Sequence, residues 1–335
     1  MLSNTRRASQ PRSGLRPPFL TIELVSKDTT NVFAVQIHPQ HQSILQSTSG
    51  KLPMVAVKRF VPKDTDLFHQ EREVLVALRT LHHPRVAELL ATYNFRGEHF
   101  LMMPLALCDA QHFWKRTGPS PSRDISGLAD APFHIHNKGA HLSSAGIGDI
   151  PYQWACHRDI RPEHILLLAD FGFSSFCRDS SNTGAISRPP GTRTYVSPET
   201  RLRREVGIKD DTWCFGCFIL ERLIWLYMGL SEVDQFADDR TMATPGSNLP
   251  LQDDHFFTLQ YGRNSASVVA VVRSTVSEYV SRLYRNPLCT EVTIAVLNVV
   301  RDEMLVVDVD RRCDSMRLVS RFRTIEKMLS LGNNK

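Results

Sequence analysis

The spacing of hydrophobic positions changes along the chain, and the change indicates two regions of different secondary structure. Short apolar runs rich in β-branched and aromatic residues are typical of strands, and in the first third of the chain they lie at 19–25, 32–37, 54–60 and 100–103. The segment 66–81 carries its apolar residues at helical spacing. Beyond residue 210 the pattern favours helices, at 211–228, 267–284, 290–305 and 315–328. A strand-rich part followed by a helical part predicts an α+β protein with two unequal lobes.

Two segments fall outside this pattern. Residues 117–151 are rich in Gly, Pro and Ser, so we expect an irregular insertion or a disrupted helix there. Residues 1–20 contain arginines, serines and prolines without an acidic residue. A disordered basic tail is the favoured interpretation of that composition, and a transit peptide is the alternative. The predicted organisation is therefore this tail, a smaller lobe at 21–104 and a larger lobe at 105–330.

Composition narrows the class of protein. The 335 residues are 42% hydrophobic and 22% charged, as in ordinary globular proteins. The formal charge of +5 is not gathered into one basic stripe, so no nucleic-acid partner is predicted. No apolar run reaches the roughly 18 residues that a membrane span needs. We expect the protein to be a monomer and to lie in the cytoplasm or nucleus. Cys214 and Cys217 lie close together in a predicted helix, where a buried structural role is favoured over zinc or redox chemistry.

The most specific chemical signal is the run 157–167, which reads H-R-D-I-R-P-E-H-I-L-L. It resembles the catalytic loop of eukaryotic protein kinases, whose pattern is H-R-D-L-x-x-x-N. The resemblance implies that Asp159 accepts the proton of the substrate hydroxyl. Arg161 stands where the family has a lysine that contacts the transferring phosphate. Pro162 and Glu163 favour the serine/threonine version of the loop over the tyrosine version.

A second motif, D-F-G at 170–172, follows the loop. By the same resemblance, Asp170 is the carboxylate that holds Mg²⁺ against the nucleotide phosphates, and His164 occupies the position of the asparagine that binds a second Mg²⁺. Arg158 is the expected partner for a phosphate on the activation segment. The implied cofactors are ATP and Mg²⁺, and the implied partner is a protein substrate.

Structural motifs of the same family follow in the expected order. The run G-T-R-T-Y-V-S-P-E at 191–199 resembles the end of an activation segment. Asp211 resembles the aspartate at the start of the central helix, whose side chain hydrogen-bonds the backbone of the catalytic loop. Arg312, in a run resembling D-P-x-x-R, implies a buried ion pair with Glu199. We expect that pair to fix the fold more than it stabilises it.

In the smaller lobe, V-A-V-K at 55–58 resembles the V-A-I-K strand, so Lys58 is expected to contact the α and β phosphates. Its partner should be a glutamate on the following helix, for which we choose Glu73, with Glu71 in reserve. The hinge that binds adenine should fall at 103–106 and include Met103. The resemblance covers about residues 25–325 and is greatest to divergent protein-kinase-like proteins of filamentous fungi.

Four departures from the family pattern bear on activity. The segment 25–35, which occupies the place of the glycine-rich loop, contains no glycine, and side chains there should loosen nucleotide binding. His164 and Arg161 are substitutions in the catalytic loop. Only 11 positions separate Asp159 from Asp170. The family has a β-hairpin in that interval. Two paired strands with a turn need about eight residues, whereas only five residues, all apolar, lie between His164 and Asp170.

These observations leave two functions open and disfavour a third. The first is a serine/threonine protein kinase, supported by the lysine and both aspartates. The second is a catalytically impaired pseudokinase that acts as a binding or scaffold module. An incomplete gene model of an active kinase would also explain the missing hairpin, and the contiguous loss of a whole hairpin slightly favours this origin over evolutionary loss. A small-molecule phosphotransferase of similar fold is disfavoured, because the run at 191–199 and Arg312 have no clear place in such enzymes.

Overall fold

The computed structural model describes the following residues: 19–24, 31–38, 54–79, 86–105, 114–116, 154–157, 160, 175–177, 194–202, 206–242, 254–261 and 268–332. Contacts between residues divide the chain into two compact units. The first comprises residues 1–82 and 87–107, and the second comprises residues 83–86 and 108–335. The first unit is built on a sheet and the second is mostly helical, which confirms the predicted α+β class.

The first unit contains a five-stranded antiparallel sheet and one long helix. The strand order is β1-β2-β3-β5-β4. A two-residue turn joins β4 to β5, and Arg96 and Gly97 both have positive φ there, 53° and 80°, as this kind of tight hairpin requires. The bounds are β1 Phe19–Leu24, β2 Val32–Ile37, β3 Met54–Phe60, α1 Thr65–Leu78, β4 Ala91–Phe95 and β5 Glu98–Pro104. Of these, β4 was not predicted from the sequence.

Side chains alternate along β3, so one face of the strand contributes to the hydrophobic core and the other carries Lys58. Val55 and Val57 are buried on one face, in a hydrophobic cluster with two residues of β2. Lys58 lies on the other face together with Phe60. The ring of Phe60 meets that of Phe68 from α1 edge-on, at 5.6 Å between centroids. Helix α1 therefore packs on the face of the sheet that presents Lys58.

The second unit is organised around a central helix. After a short strand pair, β6 Trp154–Cys156 and β7 Ser175–Cys177, and a one-turn helix α2 Pro198–Arg201, helix α3 spans Lys209–Met228. Most residues of α3 are buried, as its predominantly apolar sequence predicts. It ends at Gly229, whose φ is 95°, and α4 Leu230–Met242 begins at the next residue.

The predicted helix at 267–284 is wrong in its first part. Residues Val268–Val272 form strand β9, which pairs with β8 Phe257–Tyr261, and the helix begins only at Ser274. The reason is the run V-V-A-V-V, because β-branched side chains fit a pleated ribbon better than a helix. The remaining helices are α5 Ser274–Arg285, α6 Glu291–Val299 and α7 Ser315–Gly332, with one π-helical turn Val300–Met304 after α6.

The cysteine pair of α3 has the buried position that its apolar context predicts. Cys214 and Cys217 carry thiols that are not joined in a disulfide, and both are fully buried. Burial raises the pKa of the Cys217 thiol well above its ordinary value, so the protonated form is retained. In the part of the chain that the structure describes, no cluster of three or more His, Cys, Asp or Glu residues could hold a metal ion. No helix in those residues is long and apolar enough to cross a membrane.

Gly216 of α3 packs closely against the end of the π-helical turn. A Cβ atom at this position would lie 2.9 Å from the Cβ of Met304 and 3.1 Å from Cδ2 of Leu305. The first of these atoms is attached directly to the backbone, so the contact cannot be relieved by rotating a side chain. The absence of a side chain at residue 216 therefore sets the distance between α3 and the turn.

Replacing Gly216 by alanine should consequently destabilise the protein. We expect a net loss of about 1–2 kcal/mol in the free energy of unfolding, because the steric cost of overpacking exceeds the roughly 1 kcal/mol that alanine gains over glycine in a helix. Urea unfolding followed by circular dichroism measures the loss. The exposed Ser320→Ala in α7 is the control and should change stability by no more than about 0.5 kcal/mol. A stabilised Gly216→Ala variant would contradict the packing described.

Candidate functional site

Lys58 and Glu71 form an ion pair between β3 and α1. The ammonium Nζ of Lys58 donates to both carboxylate oxygens, at 2.7 Å to Oε2 and 3.0 Å to Oε1. The Glu71 side chain is fully buried and that of Lys58 is 17% exposed. A buried carboxylate requires such a partner, because an unpaired charge in the interior is costly. The pair therefore holds the lysine in a defined position on the sheet.

The choice of Glu73 as the partner of Lys58 is wrong, and the reserve residue Glu71 takes that role. Each residue of an α-helix advances about 100° around the axis, so residues two apart point in nearly opposite directions. Glu73 is accordingly exposed, whereas Glu71 is buried. The sequence offered two glutamates, at positions 71 and 73. Val74 and Leu75 follow Glu71 by three and four residues and therefore share its face of the helix. Both are buried, so this face is the one that packs on the sheet.

Met103 lies near the end of β5, beside the strand that carries Lys58. It pairs with Ala56 in the antiparallel ladder, and Leu101 pairs with Lys58 itself. Its side chain is 7% exposed. The expected hinge residue and the expected phosphate anchor are thus held on adjacent strands, two ladder positions apart.

The catalytic-loop motif begins at a backbone contact with the central helix. The backbone N–H of His157 donates to Oδ2 of Asp211 at 2.7 Å, and both residues are buried. This is the hydrogen bond that the resemblance predicts for Asp211. Because the aspartate lies in the first turn of α3, it fixes the start of the loop to the most buried helix of the unit.

Strands β6 and β7 bracket the segment that contains both chemical motifs. The ladder pairs Trp154 with Cys177, Ala155 with Phe176 and Cys156 with Ser175, so it joins the residues that precede position 157 to those that follow position 174. Five of the predicted site residues lie outside the described residues: Arg158, Asp159, Arg161, His164 and Asp170.

The predicted ion pair between Glu199 and Arg312 is present and buried. Nη1 and Nη2 of Arg312 donate to Oε1 and Oε2 of Glu199 at 2.6 and 2.9 Å. The guanidinium also donates to the carbonyl oxygens of Val306 and Lys209, each at 2.9 Å, and lies 5.1 Å from the ring centroid of Trp213. One buried cation therefore joins α2, the start of α3 and the loop before α7.

Residues 194–199 carry a second buried network near their first residues, as Glu199 carries the ion pair at their last. The Tyr195 hydroxyl donates to Oε2 of Glu221 on α3. Arg240 of α4 donates from Nη2 to Oε1 of the same carboxylate at 3.0 Å. Sequence reasoning missed this network. The available signal was Glu221 itself, a charged residue interrupting the apolar sequence of a central helix.

The protein kinase domain model matches residues 45–235 of the chain, which is more than half of its length. Serine/threonine-protein kinase 36 of Pongo abelii is 25% identical over 182 residues, which cover 50% of this chain and 12% of that protein. CBL-interacting protein kinase 22 of Oryza sativa subsp. japonica is 30% identical over 165 residues, covering 44% of this chain and 33% of that protein.

Calcium/calmodulin-dependent protein kinase type 1 of Macrobrachium nipponense is 26% identical over 162 residues, covering 44% of this chain and 41% of that protein. The chain thus spans less than half the length of each of these three relatives. The family match ends at residue 235, so Arg240 and Arg312 both lie beyond it.

The Glu199–Arg312 pair provides a test of how a buried charge is stabilised. Glu199→Gln leaves the guanidinium buried without its carboxylate, and we expect a loss of about 3–5 kcal/mol in the free energy of unfolding. Replacing both residues, by Glu199→Leu with Arg312→Met, should cost less than Glu199→Gln alone, because no unpaired charge remains. Chemical denaturation of the purified variants measures both values.

The matched control is Glu303→Gln. Glu303 pairs with Arg317 and Arg321, whose side chains are 59% and 51% exposed, so solvent screening limits the loss to about 1 kcal/mol. Equal losses for Glu199→Gln and Glu303→Gln would contradict the role assigned to burial.

Proposed function

The chain belongs to the protein kinase domain family, and we propose that it transfers the γ-phosphate of ATP to serine or threonine hydroxyls of protein substrates. The observation that carries the proposal is the Lys58–Glu71 ion pair, which places an ammonium on a rigid strand of the first unit. We take this unit as the nucleotide-binding lobe. The second unit, with the H-R-D and D-F-G motifs, is then the lobe that binds the protein substrate.

The residues of the first unit fit a nucleotide. The buried carboxylate of Glu71 orients the ammonium of Lys58 and accepts two hydrogen bonds from it. An ammonium carries three N–H donors, so that of Lys58 would also donate to a phosphate oxygen. Met103 at the end of β5 would place the adjoining backbone groups against adenine. Because Lys58 and Met103 lie on neighbouring strands, phosphate and base would both be bound by one sheet.

In the second unit we assign Asp159 as the base and Arg161 as the cation beside the transferring phosphate. Asp170 would hold Mg²⁺, since a carboxylate is a ligand that this ion prefers. His164 is a poorer match, because its imidazole offers nitrogen where Mg²⁺ favours oxygen. When bound, the metal would supply positive charge that neutralises the phosphate oxygens.

We propose that the ladder between β6 and β7 holds together the two ends of the segment that carries the H-R-D and D-F-G motifs. Its register makes Cys156 and Ser175 direct partners, so the two ends of the segment 157–174 are held together from outside the motifs. The hydrogen bond from His157 to Asp211 fixes one of those ends.

A pseudokinase is the second candidate, favoured by the 11 positions between Asp159 and Asp170 and by the absence of glycine at 25–35. Under this proposal the chain binds a protein partner and transfers little or no phosphate. A gene model lacking the codons of the hairpin would produce the same spacing in a chain derived from an active kinase. Sequencing the transcript across codons 115–172 distinguishes this origin from a true loss.

Nucleotide binding can be measured without catalysis. We expect ATP with Mg²⁺ at millimolar concentration to raise the melting temperature of the chain and Lys58→Met to abolish the rise. Glu71→Gln should weaken ATP binding by about tenfold or more, because it removes a hydrogen-bonded charge worth roughly 1.5–3 kcal/mol. Glu73→Gln is the matched control on the exposed side of α1 and should bind ATP like the unmodified chain. A larger effect from Glu73→Gln, or no response of the unmodified chain to ATP, would refute the assigned site.

Phosphoryl transfer separates the two candidate functions. With radiolabelled ATP and casein, Asp159→Asn should lower the rate by about 10²–10⁴-fold, the contribution typical of a positioned base, while the ATP-induced thermal shift is retained. Asp170→Asn should lose the Mg²⁺-dependent part of that shift. ATP binding without measurable transfer by the unmodified chain would favour the pseudokinase.

A further inference from the structure

Glu221 lies in the middle of α3, where the residues three and four positions away along the helix are all apolar. It is 5% exposed, and a buried charge in such surroundings is stable only when it is paired and hydrogen-bonded. Both of its oxygens are engaged, Oε2 by the hydroxyl of Tyr195 and Oε1 by Arg240. The carboxylate therefore depends on one residue before α2 and one residue of α4.

The guanidinium of Arg240, which donates to Glu221, is packed against two aromatic rings. The guanidinium lies 4.1 Å from the ring centroid of Phe236 and 4.4 Å from that of Phe256, and the residue is 1% exposed. Its Nε donates to the backbone carbonyl of Asp254 at 3.1 Å, while Nη2 donates to Glu221. A planar guanidinium can stack between rings and serve two acceptors at once, whereas a lysine ammonium has no such fork.

The same residues also hold the backbone around position 194. The hydroxyl of Thr194 donates to Oδ2 of Asp254, and the ring of Tyr195 lies 5.9 Å from that of Phe256. Two consecutive side chains are thus bound to the group formed by Glu221, Arg240, Asp254 and Phe256. The three residues after position 196 are fixed separately, by the Ser197 cap of α2 and by the Glu199–Arg312 pair.

This network is distinct from the nucleotide anchor. All of its members belong to the second unit, whereas Lys58, Glu71 and Met103 belong to the first. Arg240, Asp254 and Phe256 also lie beyond residue 235, where the match to the kinase family ends. The segment that they hold leads directly into Thr200, whose hydroxyl donates to Asp210 at 3.2 Å.

We propose that Arg240 is a positioning residue for the protein substrate, because it orients Glu221 and thereby fixes Tyr195 and the backbone at 194–196. It rests on the proposed function, in which the second unit binds the protein substrate, and it adds that this substrate lies against the segment that begins at residue 194. It assigns Arg240 no contact with that substrate or with ATP. Loss of the network should therefore weaken the binding of protein and leave the binding of nucleotide unchanged.

The test compares three variants with a control. Arg240→Lys keeps the charge but loses the two-acceptor geometry, Tyr195→Phe removes one hydroxyl, and Thr194→Val removes the contact with Asp254. The control is Arg282→Lys in α5, which disturbs an ion pair with Glu232 at 2.7 Å. That pair also joins α4 to another helix, but it contacts neither Glu221 nor residues 194–196.

Two quantities are measured on the full chain. Amide hydrogen exchange should be at least tenfold faster at residues 194–196 in Arg240→Lys and Tyr195→Phe than in the unmodified chain or in Arg282→Lys. With casein as the substrate probe, the same two variants should raise the KM for casein about tenfold and leave the KM for ATP within twofold. Thr194→Val should change both quantities in the same direction by a smaller factor.

The outcomes separate this proposal from the proposed function. Unchanged exchange at 194–196 in both Arg240→Lys and Tyr195→Phe would overturn the positioning role, and a rise in the KM for ATP alone would overturn the link to protein substrate. If the unmodified chain transfers no phosphate, the proposed function fails, and exchange together with the dissociation constant for casein still decides the role of Arg240. Tyr195→Phe keeps the test valid if Arg240→Lys does not fold.

Discussion

The guanidinium of Arg312 imposes a constraint on every element of the second unit that it touches. It is buried among groups from α2, α3 and the loop before α7, and its hydrogen bonds are satisfied only when all three are in place. Dispersed hydrophobic contacts tolerate small shifts, but a buried charge with directed partners does not. The pair therefore selects one arrangement of the helices, including the position from which Asp211 holds His157.

Among the described residues, three ion pairs with buried carboxylates perform the same task at different places. Lys58–Glu71 sets β3 against α1, Glu199–Arg312 sets α2 against the loop before α7, and Glu221–Arg240 sets α3 against α4. In each pair the carboxylate is at most 7% exposed, so its charge would be costly without the partner. Two of the three involve an arginine beyond residue 235. The part of the chain outside the family match thus takes part in ordering the part inside it.

The sequence predicted correctly those features that depend on local spacing or on a recognised motif. It failed where a contact between distant residues decides the structure. Strands β2 and β3 and most of α3 follow from spacing and side-chain type, and Glu199 with Arg312 followed from motifs that fix residues far apart. The error at 268–272 arose because a run of valines has no period, so only pairing with β8 determines its structure. Glu73 was preferred by counting residues, although the direction of the side chain from the helix decides the pairing. Arg240 lies in no recognised motif, and its role depends on hydrogen-bond partners 19 and 14 positions away, Glu221 and Asp254.

Gly229 is the single residue between α3 and α4, and its backbone angles are φ 95° and ψ 173°. A side chain there would meet no atom within 4 Å, so the restriction comes from the backbone, since residues with a Cβ rarely adopt such angles. The direction in which α4 leaves the central helix is thus encoded by one residue type at one position. In other chains of this kind, glycine directly after the central helix would identify those that share the same path, and a replacement would mark those in which the following helix takes a different course.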